Sequence, residues 1–125
     1  MKVKNIKIAV RSMEDVFHEI KDVFEKADRG EKIRPSEGIY FESMDALRKV
    51  LTEERLRVLK IVKREHPSSI YELAKMLKRD VKNTYNDVQF LARTGLLELK
   101  KTASSNRTKT MPEVNYDKIL LEIAV

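Results

Sequence analysis

The run RDVKNTYNDVQFL, Arg79 to Leu91, sets Lys82, Asn83, Tyr85, Asn86 and Gln89 among apolar residues at helical spacing. A helix over about 81–93 turns Val81, Thr84, Val88 and Leu91 inward and leaves the polar five outward. A surface of amides, a phenol and an ammonium is equipped to hydrogen-bond something outside its own domain. Asparagine and glutamine donate and accept together, and can pair bidentately with adenine at about 1–3 kcal/mol of discrimination per good pair. Lys82 reaches a phosphate or a guanine, and the amides and dipole of a helix start favour phosphate. The same residue types also have a local use. Asn, Thr and Asp near a helix start cap it, and Tyr85 can simply cover the edge of a core.

Two neighbouring features extend the pattern. Thr102–Thr110 (TASSNRTKT) reads as a polar, flexible loop in which Ser104, Ser105 and Asn106 offer small hydrogen-bonding groups and Arg107 and Lys109 offer charge. Arg79, just before the helix, is placed to meet a phosphate or to pair with Asp80 or Asp87. Asp87 points away from a polyanion or trims non-specific affinity for one.

The elements that position these groups follow from caps and periodicity. Ile6, Ile8 and Val10 alternate as a strand. Ser12 and Asp15 approximate a capping box, and Met13, Val16, Phe17, Ile20, Val23, Phe24 and Ala27 form an apolar stripe along a helix of about 12–29, with Gly30 as its terminator. That stripe packs on its own chain or on another protein. Pro35 and Gly38 mark a turn, and residues 38–42 a short strand. Ser43 caps a brief helix and Thr52 the next, which Pro67 ends. Ser69 and Glu72 fit the S-x-x-E capping box of a helix whose inner face is Ile70, Leu73, Ala74 and Leu77. After the helix that follows, Gly95 supplies a left-handed stop. Leu96–Lys101 and Met111–Tyr116 read as paired strands, and Ile119, Leu121, Ile123 and Val125 as a last strand.

The totals narrow the class. With 125 residues, 42% hydrophobic and 37% charged, the chain suffices for one compact domain or a small domain with an extension, and is not disordered in composition. Without cysteine it holds neither disulfides nor thiolate metal sites, which fits a reducing cytoplasm. No apolar run is long enough to cross a membrane, and Met1–Val10 reads as neither signal nor transit peptide. The net charge of +6 is uneven: +1 over 1–51, +4 over 52–94, +3 over 95–111 and −2 over 112–125. The excess coincides with the polar helix and the loop after it, as a polyanion-binding footprint or a solvated lysine-rich surface. Catalytic readings find little. His18 and His66 have no ligand spacing, phosphate-binding glycine loops and G-x-S-x-G steps are missing, and the carboxylates interleave with lysines in ion-pair patterns. The expectation is no enzyme, no metal and no cofactor.

From Thr52 the order is helix, helix, tight turn, helix, strand, basic loop, strand. With the motifs SSIYELAKML, RDVKNTYNDVQFL and TGLLELKK, residues of about 52–116 resemble a winged helix-turn-helix domain of the MarR/ArsR-like kind. The whole chain is similar to an archaeal and bacterial family of predicted winged-helix regulators with an R-D-V-K step and a P-x-V-x-Y-D element, here Pro112, Val114, Tyr116 and Asp117. That family is often associated with toxin–antitoxin gene pairs. The resemblance implies an α+β fold, a winged helix-turn-helix domain over 52–125 with an N-terminal strand-helix-strand extension over 1–51 for dimerisation or partner binding. It implies a cytoplasmic, sequence-specific regulator of double-stranded DNA, a repressor acting as a homodimer on a roughly palindromic site, or alternatively an antitoxin-type module that neutralises a partner toxin. The DNA-binding set is Ser69, Arg79, Lys82, Asn83, Tyr85, Asn86, Gln89, Ser105, Asn106, Arg107 and Lys109. MarR proteins dimerise through long helices at both ends, whereas this chain ends in a strand, so their dimer does not carry over. RNA binding is disfavoured because no exposed aromatic platform is evident.

Overall fold

The computed structural model describes residues 4–31, 38–104 and 107–125. They form a mixed α+β fold of five helices and two small sheets: β1 (Asn5–Val10), α1 (Met13–Asp28), β2 (Ile39–Phe41), α2 (Met44–Val50), α3 (Glu53–Glu65), α4 (Ile70–Leu77), α5 (Val81–Thr94), β3 (Glu98–Ser104), β4 (Arg107–Glu113) and β5 (Lys118–Ile123).

Each helix starts at a polar cap. The Ser12, Ser43, Thr52, Ser69 and Asp80 side chains each accept a hydrogen bond from the amide three residues on. The Ser12–Asp15 box is reciprocal, at 3.2 and 3.3 Å. The box expected at Ser69 is displaced. Ser69 accepts from the Glu72 amide, but the Glu72 carboxylate takes the hydroxyl and amide of Ser68 instead. These bonds hold the Glu72 carboxyl below its ordinary pKa. The turn at Pro35 lies outside the described residues.

A single cluster forms the core. Val58, Leu59 and Val62 of α3, Leu73 and Leu77 of α4, and Val88 and Leu91 of α5 meet Leu96, Leu97 and Val114, together with Ile8, Val10 and Leu47. Ala74, almost fully buried, is the small residue in the inner face of α4, which packs against α5. Gly95 ends α5 at φ 87°, where a side chain would be strained.

The first and last strands pair within one chain. The order β2-β1-β5 is parallel throughout, with Ile6, Ile8 and Val10 abreast of Ile119, Leu121 and Ile123. Paired residues share a face, so this side of the sheet is aliphatic. The opposite side carries Asn5, Lys7, Lys118 and Glu122, with a Lys7–Glu122 ion pair at 2.5 Å. Gly38 is needed at the start of β2, since a Cβ there would stand 3.0 Å from the Lys7 carbonyl oxygen.

The hairpin departs from expectation. The nine-residue loop over 102–110 is largely strand, because β3 and β4 pair Thr102 with Lys109, Ala103 with Thr108 and Ser104 with Arg107. Threonine-rich sequence suits a pleated ladder as well as it suits a loop. The return strand accordingly starts at Arg107 and ends at Glu113, not Tyr116. Of the two uses the sequence left open for the α1 stripe, packing on its own chain is not realised in the core, and no residue of that helix is buried.

The P-x-V-x-Y-D element stitches the chain together. Pro112 is fully buried and Val114 nearly so. The Tyr116 hydroxyl donates to the Leu96 carbonyl at 2.7 Å. Asp117 accepts from the Lys4 amide at 3.0 Å, returns its own amide to the Lys4 carbonyl at 2.7 Å, and pairs with Lys63 at 3.3 Å. The Lys4 bond is the largest cause holding its carboxyl below the usual range.

Burial pushes the Tyr116 phenol up to about 12. A phenol whose folded pKa is raised stabilises the fold fully below its unfolded value of about 10, and that contribution is lost as pH climbs through the folded value. Tyr116→Phe is expected to cost about 1 kcal/mol near neutral pH. The gap to wild type should narrow as pH rises above about 10, which urea denaturation at a series of alkaline pH values checks.

Candidate nucleic-acid interface

α5 owes its start to Asp80. Its carboxylate accepts from the Asn83 amide at 2.6 Å and from the Asn83 side-chain Nδ2 at 2.7 Å. Thr84 turns inward, fully buried, and its hydroxyl donates to the Asp80 carbonyl at 2.9 Å. The leading amides of α5 therefore meet a carboxylate of their own chain. A phosphate at that helix start would compete with Asp80.

Behind α5 the expected row holds for Thr84, Val88 and Leu91 but not for Val81, which is 43% exposed. Val81 heads the helix directly after its cap, and the core-facing row begins one turn later. In front, Lys82, Asn83, Tyr85 and Asn86 are exposed and Gln89 is half-buried. Among the described residues Lys82, Tyr85, Asn86 and Gln89 have no hydrogen-bond or ion-pair partner, whereas Asn83 spends its donor group on Asp80. The five residues are thus on one surface, with unequal freedom.

Arg79 forms the ion pair rather than standing free. Its Nη1 lies 2.6 Å from Asp87 and 3.5 Å from Glu54, and the Asp87 bond holds the guanidinium above its ordinary pKa. Asp87 is turned to the protein's own arginines. It sits between Arg79 and Arg55, whose Nε is 3.2 Å away. Arg55 also donates to the carbonyls of Lys49 and Val50 at 2.7 and 2.9 Å and lies 4.1 Å over the Phe90 ring. Nothing in the sequence pointed to Arg55, because its partner is 32 residues away.

Ser69 serves as the α4 cap. Ser105 and Asn106 lie outside the described residues, and of Arg107 only the strand register is described. Lys109 is exposed, and its charge acts on Glu72. The sequence reading passed over Tyr71, which is exposed on α4 with the Lys75 ammonium 4.8 Å over its ring. The signal was present: Tyr71 and Lys75 are one turn apart and off the Ile70–Leu73–Ala74–Leu77 face. Lys78, exposed in the left-handed region between α4 and α5, was also passed over. Among the described residues no cluster of three His, Asp or Glu side chains is arranged to hold a metal, and no helix is long and apolar enough to cross a membrane.

The Asp87 carboxylate is about 15% exposed, so its two hydrogen-bonded arginines act in a partly desolvated setting. Asp87→Ala is expected to lower stability by about 2 kcal/mol, since it removes the carboxylate that joins the two guanidiniums and loosens α5 from α3. Urea denaturation measures this, and a double-mutant cycle with Arg55→Ala should return a coupling of about 1 kcal/mol or more.

Comparisons with known proteins give a family and a solved structure. No curated protein matches the chain at a significant level. A solved structure of a possible transcriptional regulator from Methanosarcina mazei Go1 is similar at 21% sequence identity and a TM-score of 0.46. The similarity covers 59% of this chain and 66% of that one, just under two thirds of its length. Residues 50–121, from the end of α2 into β5 and more than half of the sequence, match the HVO_A0114 family, and the chain belongs to that family.

Proposed function

We propose that this chain is a sequence-specific DNA-binding transcription regulator, a repressor, whose α3–α4–α5–β3–β4 unit acts as a winged helix-turn-helix of the MarR/ArsR-like kind. α5 enters the major groove and the β3–β4 hairpin lies along the backbone or minor groove. The observation that carries the reading is the outer face of α5. Lys82, Tyr85, Asn86 and Gln89 stand together there without partners among the described residues, while Thr84, Val88 and Leu91 seal the other side. Asn86 and Gln89 supply donor–acceptor amides for base edges, Lys82 supplies charge, and the exposed Val81 offers an apolar contact for a thymine methyl.

The region is basic in sequence, but Arg55 and Arg79 are occupied by Asp87. On this reading phosphate attraction falls to Lys78, Lys82, Lys101 and the basic hairpin. The protein acts in the cytoplasm as a homodimer on a roughly palindromic site, without catalysis or cofactor. Residues 52–125 read DNA and residues 1–51 serve assembly. A second reading, an antitoxin-type module that occludes a partner toxin, draws on one observation, the exposed apolar stripe of α1.

Fluorescence anisotropy on a fragment from upstream of the protein's own gene, beside a scrambled duplex, tests the proposal. Tight binding to the first and weak, salt-sensitive binding to the second is expected. Asn86→Ala should cost about 1–3 kcal/mol on the cognate fragment alone, whereas Lys82→Ala should weaken both duplexes and reduce the salt slope by about 1. Equal affinity for both duplexes at every salt concentration would overturn specific recognition.

A further inference from the structure

Among the described residues, α1 is the helix that the core leaves out. Met13, Phe17, Ile20, Val23 and Phe24 are 52%, 63%, 45%, 36% and 67% exposed. They recur at intervals of three and four and make one continuous stripe. The sheet leaves them uncovered. Arg11 pairs with Glu19 of α1 and with Glu122 of β5, and stacks 5.1 Å over the Tyr40 ring of β2. It thereby ties one flank of α1 to the charged side of the sheet, while the apolar stripe beside that flank stays exposed. An amphipathic helix held this way leaves on the order of 500 Å² of apolar side chain in water, the size at which a surface patch marks an interaction site.

We infer that the apolar stripe of α1 docks on the same stripe of a second copy of this chain, the two helices lying parallel about a two-fold axis. Two such faces bury on the order of 1,000 Å² together, the lower bound for a specific interface. The charges along the stripe favour a self-match. Glu19 and Lys26 border it on one side, and Glu14, Lys21 and Asp28 on the other. In a parallel, in-register pair the two sides meet. Lys26 then falls opposite Asp28, and Lys21 opposite Glu19, which also holds Arg11, each twice by symmetry, with no like charges opposed. An antiparallel pair would instead set Lys21 against Lys21 and Glu14 against Asp28. The homodimer of the proposed function thereby acquires a surface. Because assembly is read without DNA, failure here is distinct from failure of DNA recognition.

The chain has no cysteine, which makes cross-linking a clean test. Met13→Cys and Ala27→Cys, introduced singly in the full chain, should each give disulfide-linked dimers under mild oxidation, because a parallel pair brings both ends of α1 to the axis. Light scattering after size exclusion should find a dimer for the unaltered chain. Phe17→Ser with Phe24→Ser should weaken the dimer by roughly tenfold or more. Since neither residue is buried in the single chain, circular dichroism and thermal unfolding of the monomer should stay unchanged. A monomer at about 100 μM, a level that captures even weak association, would overturn the inference. So would a dimer indifferent to the two serines, or cross-linking through Ile20→Cys but at neither end of the helix.

Discussion

The placement of α5 depends on one carboxylate. Asp87 projects from the side of that helix between two guanidiniums, one at the start of α3 and one in the turn that precedes α5. Arg55 extends the tie to the last carbonyls of α2 and lays its plane over Phe90 of α5. Apolar packing alone leaves a helix some freedom to roll and slide, because contact area is nearly indifferent to small rotations. Charge-assisted hydrogen bonds at fixed angles are not indifferent. The Leu73, Val88 and Leu91 side of the core thus brings α5 into place, and the Arg55–Asp87–Arg79 clamp sets its rotation. The polar front of α5 is presented accordingly.

The clamp also redistributes charge. By count, residues 52–94 carry ten basic and six acidic groups. Two of the basic groups serve Asp87, Arg57 pairs with Glu54 and donates to the Leu77 carbonyl, and Lys63 pairs with Asp117. A count of charges measures long-range attraction, whereas contact at a surface depends on which charges lack partners. Lys78 and Lys82, at the turn and on the first turn of α5, are exposed without such partners among the described residues, and they flank the face that carries Tyr85 and Asn86. The net field of the region and its usable donors therefore converge on the same helix, with fewer groups than the sequence suggests.

What the sequence made legible was mostly local. The caps at Ser12, Ser43, Thr52 and Ser69, the α3–α4–α5 order, the inner face of α4 and the Gly95 stop depend on residues within a few positions of one another, where caps and periodicity act. Pairings at long range were not legible. The parallel match of β1 with β5 joins residues more than a hundred positions apart, and Arg55 meets Asp87 across 32. Where two nearby uses of one residue compete, chemistry alone did not choose. Asn83 could read a base or return a hydrogen bond to its cap, and its donor goes to the cap. Arg79 could meet a phosphate or a carboxylate, and Asp87 was already within reach. Val81 shows the limit of periodicity at a helix start, where the wheel is right but the neighbouring core has ended.

The two exposed faces of the chain solve different physical problems. The front of α5 offers a few directional groups, each good amide pair being worth about 1–3 kcal/mol. On the proposed reading, a single such helix with its hairpin falls short of the roughly 11 kcal/mol that a nanomolar-range specific complex requires, much of its attraction being salt-dependent and indifferent to sequence. On the same reading a second copy would supply the remainder without new chemistry, since the second contact is then made at high effective concentration. α1 has the properties for that task and lacks those for the first. Its stripe is apolar, continuous and non-directional, and its charges lie at the borders, where they select a register at little energetic gain. On the proposed reading the chain separates what discriminates from what multiplies, with Asp87 holding the first face and Arg11 the flank of the second.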